Sequence, residues 1–240
     1  MTVNMRRVRA IVRKELREFR RNRSLVVTMA IFPLIFLIQP LVAVLLASAS
    51  ESTSLSTRHL LLYMLAIPVL VPAMVAASGV AGERQQGSLE PVLTTPIRRE
   101  EFLLGKALAV LIPSIVIAYV VYAAFLVLVV LLAHPAVVSA ILRGPDIVAQ
   151  VVFTPPIAFL SIWIGLAIST RTSDVRVAQQ LSLVGSLPLV LLTSLIAFDV
   201  IPITPALAVG LGVGVVFADI AGWRLVSPMF DRERLISDSR

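Results

Sequence analysis

The sequence predicts an all-α membrane protein: six transmembrane helices preceded by a basic amphipathic interfacial helix, with both termini cytoplasmic. Three observations carry this expectation. The 240 residues are 58% hydrophobic and 15% charged, with a mean hydropathy of +0.95, too little charge for a soluble domain of that length. Six apolar runs each reach the roughly 20 residues that a helix needs to cross the hydrocarbon core. Lys and Arg alternate by connection, 19 on one side against two on the other.

The chain divides into an N-terminal helix (1–24), a transmembrane domain (25–227) containing a polar segment (83–106), and a tail (228–240). In the first part, Val8, Ile11, Val12, Leu16 and Phe19 recur at helical spacing and form one stripe. Basic residues fill the other faces, and Lys14 and Glu18 are spaced to pair at i, i+4. Such a helix is expected in the headgroup plane, its apolar face dipping into the acyl boundary. Two compatible roles are open: a positive anchor that holds the N-terminus inside, and an elbow that ties the first span to the cytoplasmic surface.

The six spans are expected at 25–47, 60–82, 107–133, 147–169, 179–198 and 205–226. They must be helices, because in lipid each backbone polar group has to find a partner within its own segment. The N-terminal segment holds nine Lys and Arg, the 83–106 segment four, the connection after the fourth span two, and the C-terminal end four. Only Arg58 and Arg143 fall on the other side, so the positive-inside rule places both termini in the cytoplasm. The net charge of +7 then reflects topology and attraction to anionic lipid rather than nucleic-acid binding. The absence of cysteine excludes disulfides and cysteine metal sites. Prolines interrupt five spans (Pro33 and Pro40, Pro68 and Pro72, Pro113, Pro155 and Pro156, Pro188), and each can kink its helix.

Chemistry is sparse in the spans. The two histidines, His59 and His134, fall at external span ends. There is no G-x-S-x-G, no H-E-x-x-H and no Walker A sequence; Gly105-Lys106 is followed by alanine. The chain therefore has no P-loop of its own, and no catalytic residue, metal ligand or cofactor is expected in it. Asp199 reads as a solvated loop residue. Asp219 lies inside the sixth span between Ala218 and Ile220. It is either a functional intramembrane carboxylate or a structural one that pairs with Arg224 or snorkels to the interface. Gly210, Gly214, Ala218 and Gly222 form a small-residue ladder suited to close helix packing, within the subunit or between subunits.

The polar segment is too long and too punctuated to be a simple turn, with Gly87, Pro91 and Thr95-Pro96 breaking it into one or two short surface helices. It reads Glu83-Arg84, Gly87-Ser88-Leu89-Glu90, Val92-Leu93, Thr95-Pro96, Arg98-Arg99, Glu101-Phe102, Leu103-Leu104, Gly105-Lys106. This pattern resembles the signature of the type-2 ATP-binding-cassette (ABC) permeases, with Ser88 where threonine is usual. The basic start from Lys14-Glu15-Leu16 to Arg23, the six-span length and Phe230-Asp231-Arg232-Glu233-Arg234 in the tail are also similar.

The resemblance implies a transmembrane subunit in the cell membrane that works with a separate P-loop ATPase subunit, two copies of each forming an exporter of drugs, lipids, glycans or ions. ATP and Mg would bind in that partner. Gly87 to Leu93 would form a coupling helix seated in the ATPase, with Leu89, Val92 and Leu93 as apolar contacts and Glu83, Arg84 and Glu90 orienting it by charge. Thr95 could cap the next turn, with Pro96 at its first position. Low polarity of the spans leans toward a hydrophobic or amphiphilic cargo, and short external loops favour export. The competing expectations are a stand-alone ion- or proton-coupled carrier, which needs intramembrane charges, and a non-transporting membrane scaffold. A small-residue sequence at Ala47-Ser48-Ala49 resembles a leader cleavage site, but the apolar run before it is about twice a signal-peptide core. The first span is therefore expected to stay attached, and the intact mass of the purified chain reads this directly.

Overall fold

The computed structural model describes residues 4–47, 59–85, 87 and 98–230. Among the described residues eight α-helices follow in order: α1 (Met5–Arg21), α2 (Arg23–Leu46), α3 (Ala66–Gln85), α4 (Arg99–Leu132), α5 (Pro135–Ile141), α6 (Gly144–Ser169), α7 (Val175–Ala197) and α8 (Pro205–Val226). A 3₁₀ turn, Leu60–Leu65, leads into α3, and another, Ser227–Phe230, follows α8. No strand occurs among the described residues. Six of these elements are long and apolar enough to cross a membrane: α2, the turn with α3, α4, α6, α7, and α8 with its following turn.

Local chemistry sets the helix ends. The Asn4 side chain accepts from the Arg6 N–H and starts α1. Asn22 alone separates α1 from α2: its N–H donates to the Glu18 and Phe19 carbonyls, and its side chain accepts from Leu25 N–H. Asp174 and Thr204 cap α7 and α8 through their side chains. The helices run on through Pro33, Pro40, Pro72, Pro113, Pro155, Pro156 and Pro188.

The largest departure from the expected boundaries is α4, which begins at Arg99 and not near Ala107, about two turns early. Glu100, Glu101 and Lys106 argue against a span on hydropathy alone. The protein absorbs two of them by burying and pairing them, so the helix extends through its charged first turns.

The centre of the bundle is α3, which packs against α2, α4, α6 and α7 and is almost wholly buried. Its composition explains this. Ala66, Ala73, Ala76, Ala77 and Ala81 let neighbouring backbones approach closely. The tightest approach is to α6: a Cβ at Gly165 would stand 2.3 Å from the Ala73 carbonyl oxygen. One turn on, the Ser169 hydroxyl accepts from the Val80 and Ala81 N–H groups, both at 2.9 Å. By contrast, α8 sits at the edge, packed on α6. The small-residue ladder is divided accordingly. Gly222 abuts Trp163 on α6, while Gly210 and Gly214 face open space.

Two glycines should therefore respond differently to substitution. Gly165→Ala forces a methyl into backbone and is expected to destabilise the bundle by about 1–3 kcal/mol. Gly210→Ala fills open space in a helix and is expected to be neutral or to stabilise by up to about 1 kcal/mol. Thermal unfolding of the two purified variants in one detergent checks this ordering.

Candidate functional site

The start of α1, the end of α3 and the start of α4 converge at one end of the bundle, together with Thr170, Thr172 and Phe230. This end carries the basic N-terminal helix and both feet of the 83–106 segment. Its geometry rests on buried charge.

Val8, Ile11 and Phe19 of the stripe are buried, chiefly against α4, while Val12 and Leu16 are half-buried and border an open cleft. Ile11 packs onto Gly105 so closely that a Cβ there would lie 2.7 Å from the Ile11 side chain. The physical reason lies in the stripe itself. Residues 11, 15 and 19 share one helical face, and the middle one is Glu15, buried with the others. A carboxylate there needs a buried cation, which lipid cannot supply.

Lys106 supplies it. Its side chain is 2% exposed, and its ammonium lies 3.2 Å from Glu15 Oε1 and 3.1 Å from Glu83 Oε2. It also donates to the Gly79 carbonyl and stands 5.0 Å over the Phe102 ring. Lys14, half-exposed, bridges Glu83 Oε1 at 2.9 Å and reaches Glu15 and Glu18. The pairing with Glu18 has the i, i+4 spacing read from the sequence. Burial pulls the Lys14 pKa down, but Glu83, with Glu15 and Glu18 behind it, more than reverses this and holds the ammonium above its ordinary range. Two buried carboxylates and two ammonium groups thus tie α1, α3 and α4 into one unit.

A second tie closes the start of α4. Glu101, 1% exposed, accepts from the backbone N–H groups of Asn4 and Arg98 and from the Arg7 guanidinium, at 2.9, 3.1 and 3.3 Å. The Arg98 bond caps α4, and the other two fix the first turn of α1. Phe102 packs on Phe230, their ring centroids 5.9 Å apart, so the turn after α8 is bound to the same place. Phe230 belongs to the stretch read as tail from the sequence, yet it is buried.

Of the residues proposed for coupling, Glu83 and Arg84 are described and both turn inward. Arg84 donates to the Thr170 and Thr172 carbonyls, each at 3.3 Å, a cation satisfying carbonyls at the C-terminus of α6. Gly87 has φ +65° and its N–H meets the Arg84 carbonyl, a left-handed turn just beyond α3 for which glycine is suited. Ser88, Leu89, Glu90, Val92 and Leu93, with Thr95 and Pro96, lie outside the described residues. Asp219 is half-buried on α8 and faces the Trp163 indole of α6, far along the chain from this cluster. No ion pair joins it to Arg224 among the described residues. At the opposite end, His59 Nδ1 lies 2.8 Å from buried Asp146, a pair that sequence alone did not suggest.

Sequence reasoning missed the roles of Glu15 and Lys106. The available signal was an acid at the middle of an apolar stripe, together with a lysine at the head of an apolar run.

A family model described as ABC-2 family transporter protein matches residues 9–212. The chain belongs to that family, and it is a multi-pass membrane permease of an ABC transporter. The matched range takes in the whole of 83–106 and stops short of Asp219. No curated protein matches the chain.

Lys106→Met removes the buried cation shared by Glu15 and Glu83. It is expected to lower the unfolding free energy by about 3–5 kcal/mol. Adding Glu15→Leu should recover part of the loss, since one uncompensated charge is removed with it. Melting curves of both variants in detergent decide the point: a Lys106→Met chain melting with the wild type means the cluster does not hold α1.

Proposed function

We propose that this chain is the transmembrane subunit of an ATP-driven exporter that moves a hydrophobic or amphiphilic substrate out of the cytoplasm or its inner leaflet. Energy comes from a separate P-loop ATPase subunit, present in two copies, which binds ATP and Mg. A second permease subunit, identical or homologous, completes the transporter. Both termini and the 83–106 segment face the cytoplasm of the cell, where the basic end of the bundle meets the ATPase.

The observation that carries this reading is the pairing of Glu83 with Lys106. These residues stand at the two feet of the 83–106 segment. A force applied between them reaches α3 and α4 together, and α1 through Glu15, because buried pairs and packed helices shift as units rather than bending. The sequence between the feet is suited to receive such a force. Gly87 turns the chain out of α3, Ser88 and Glu90 offer polar contacts, and Leu89, Val92 and Leu93 offer apolar ones. Glu83 and Arg84, with side chains turned into the bundle, belong to transmission and not to the contact itself. The chain's lack of a P-loop supports an external source of energy, and its weakly polar spans support an apolar or amphiphilic cargo.

Purification from its own host should bring down a stoichiometric subunit bearing a P-loop. In that complex, Leu89→Lys with Glu90→Lys is expected to leave the melting temperature unchanged while transport per ATP hydrolysed falls at least about fivefold. A chain that purifies alone and moves solute in liposomes without ATP would overturn the reading in favour of a stand-alone carrier. A complex that hydrolyses ATP without response to any transported solute would favour the scaffold.

A further inference from the structure

The basic residues of α1 are not all used in the charge cluster. Arg9, Arg13, Arg17 and Arg20 project from the other side of the helix. At about 100° per residue they fall within an arc of about 80°, while Glu15 and Glu18 lie on the opposite side, turned to Lys106 and Lys14. All four arginines are exposed, and none pairs with an acid among the described residues.

This row of guanidinium groups forms one rim of a cleft of about 1210 Å³ between α1, α2 and α4. The remaining walls are apolar, including Met29 and Leu34 of α2 and Val116 and Val120 of α4. Leu34, Val116 and Val120 are each about half exposed, so the apolar floor is open to an occupant. The cleft opens beside α1, between the first turns of α2 and the middle of α4 from Pro113 to Val121.

We infer that this cleft binds an anionic glycerophospholipid, its phosphate on the arginines of α1 and an acyl chain along the groove between α2 and α4. The charge and the apolar surface select the same molecule. A free anion would satisfy the guanidinium groups, which bind phosphate bidentately, but would leave the groove uncovered. A neutral lipid would fill the groove and leave four like charges unpaired. A second copy of this chain is a poor match: among the described residues its exposed acids Glu18, Asp174 and Asp199 are scattered over different elements, Glu18 already paired with Lys14 and Asp174 capping α7, and form no row to face the arginines. A lipid held there bridges α1 to both spans and secures the helix from the side opposite Lys106. The inference goes beyond the exporter reading and needs no ATPase partner.

Native mass spectrometry of the full chain, exchanged against mixed vesicles of phosphatidylglycerol and phosphatidylcholine with matched acyl chains, tests it. The wild type should retain phosphatidylglycerol over phosphatidylcholine by about tenfold or more, at roughly a fivefold factor per engaged arginine. Replacing all four with glutamine (Arg9→Gln, Arg13→Gln, Arg17→Gln and Arg20→Gln) should bring the ratio close to one. Val116→Trp, which alters no charge, should reduce retention of lipid at the site, whereas Arg171→Gln on the same end should leave the ratio unchanged. Equal retention of the two lipids by the wild type overturns the inference, as does a wild-type ratio in both cleft variants. Displacement of the lipid by inorganic phosphate at matching concentration would mean a free-anion site, and a dimer lost in the arginine variants with lipid unchanged would assign the cleft to a second copy. Either result also overturns it.

Discussion

A carboxylate on the apolar face of an N-terminal helix is the constraint on which the basic end of this protein depends. Glu15 cannot be left alone in a low-dielectric setting, and the desolvation of Lys106 would be equally unfavourable without anions beside it. Each makes the burial of the other tolerable. Once they are joined, α1 lies along α4, Glu83 at the end of α3 is drawn to the same ammonium, and Gly105 must be small so that Ile11 can reach the α4 backbone. The second tie, at Glu101, repeats the principle with backbone donors. Here a buried carboxylate accepts from two N–H groups and a guanidinium, and a helix start is capped in the process. Buried ion pairs add little net stability compared with apolar packing, but they are intolerant of misregister. That property suits a place where three helices must hold fixed positions.

The rest of the bundle is organised by size and not by charge. The alanines of α3 make a narrow central post, and Gly165 with Ser169 lets α6 lie against it at backbone contact. Around this post, α4, α7 and α8 turn long apolar faces outward. The protein is therefore rigid near its axis and at its basic end, and weakly covered at its periphery.

Much of this was legible in the sequence. Six apolar runs located six helices, since few other arrangements of such runs are possible in lipid, and the family of the chain could be read from the residues between Glu83 and Lys106. The start of α4 was misplaced because hydropathy counts Glu101 and Lys106 as obstacles, whereas the fold neutralises each with a specific partner about 90 residues away. The same limitation hid the role of Glu15. Periodicity identified Val8, Ile11, Val12, Leu16 and Phe19 as one face, but the nature of the surface opposite that face is a tertiary fact. Glu83 and Arg84 looked like outward contacts by composition. Their direction is set by Lys14, Lys106 and the free carbonyls after α6, which no local pattern announces.

The separation of Glu15 from Lys106 by 91 positions has a consequence for the birth of the protein. At a synthesis rate of about 5–20 residues per second, α1 exists for roughly 5 to 20 seconds before its counter-ion is made. During that interval its carboxylate has no buried partner on α4, and the helix stays undocked, attached to the first span through Asn22 alone. Docking becomes favourable only after the second span has been threaded and the head of the third has emerged. The ion pair therefore acts as a delayed latch in biogenesis, closing the basic end once the first two of six spans are in place and leaving a chain arrested earlier with its first helix unlatched.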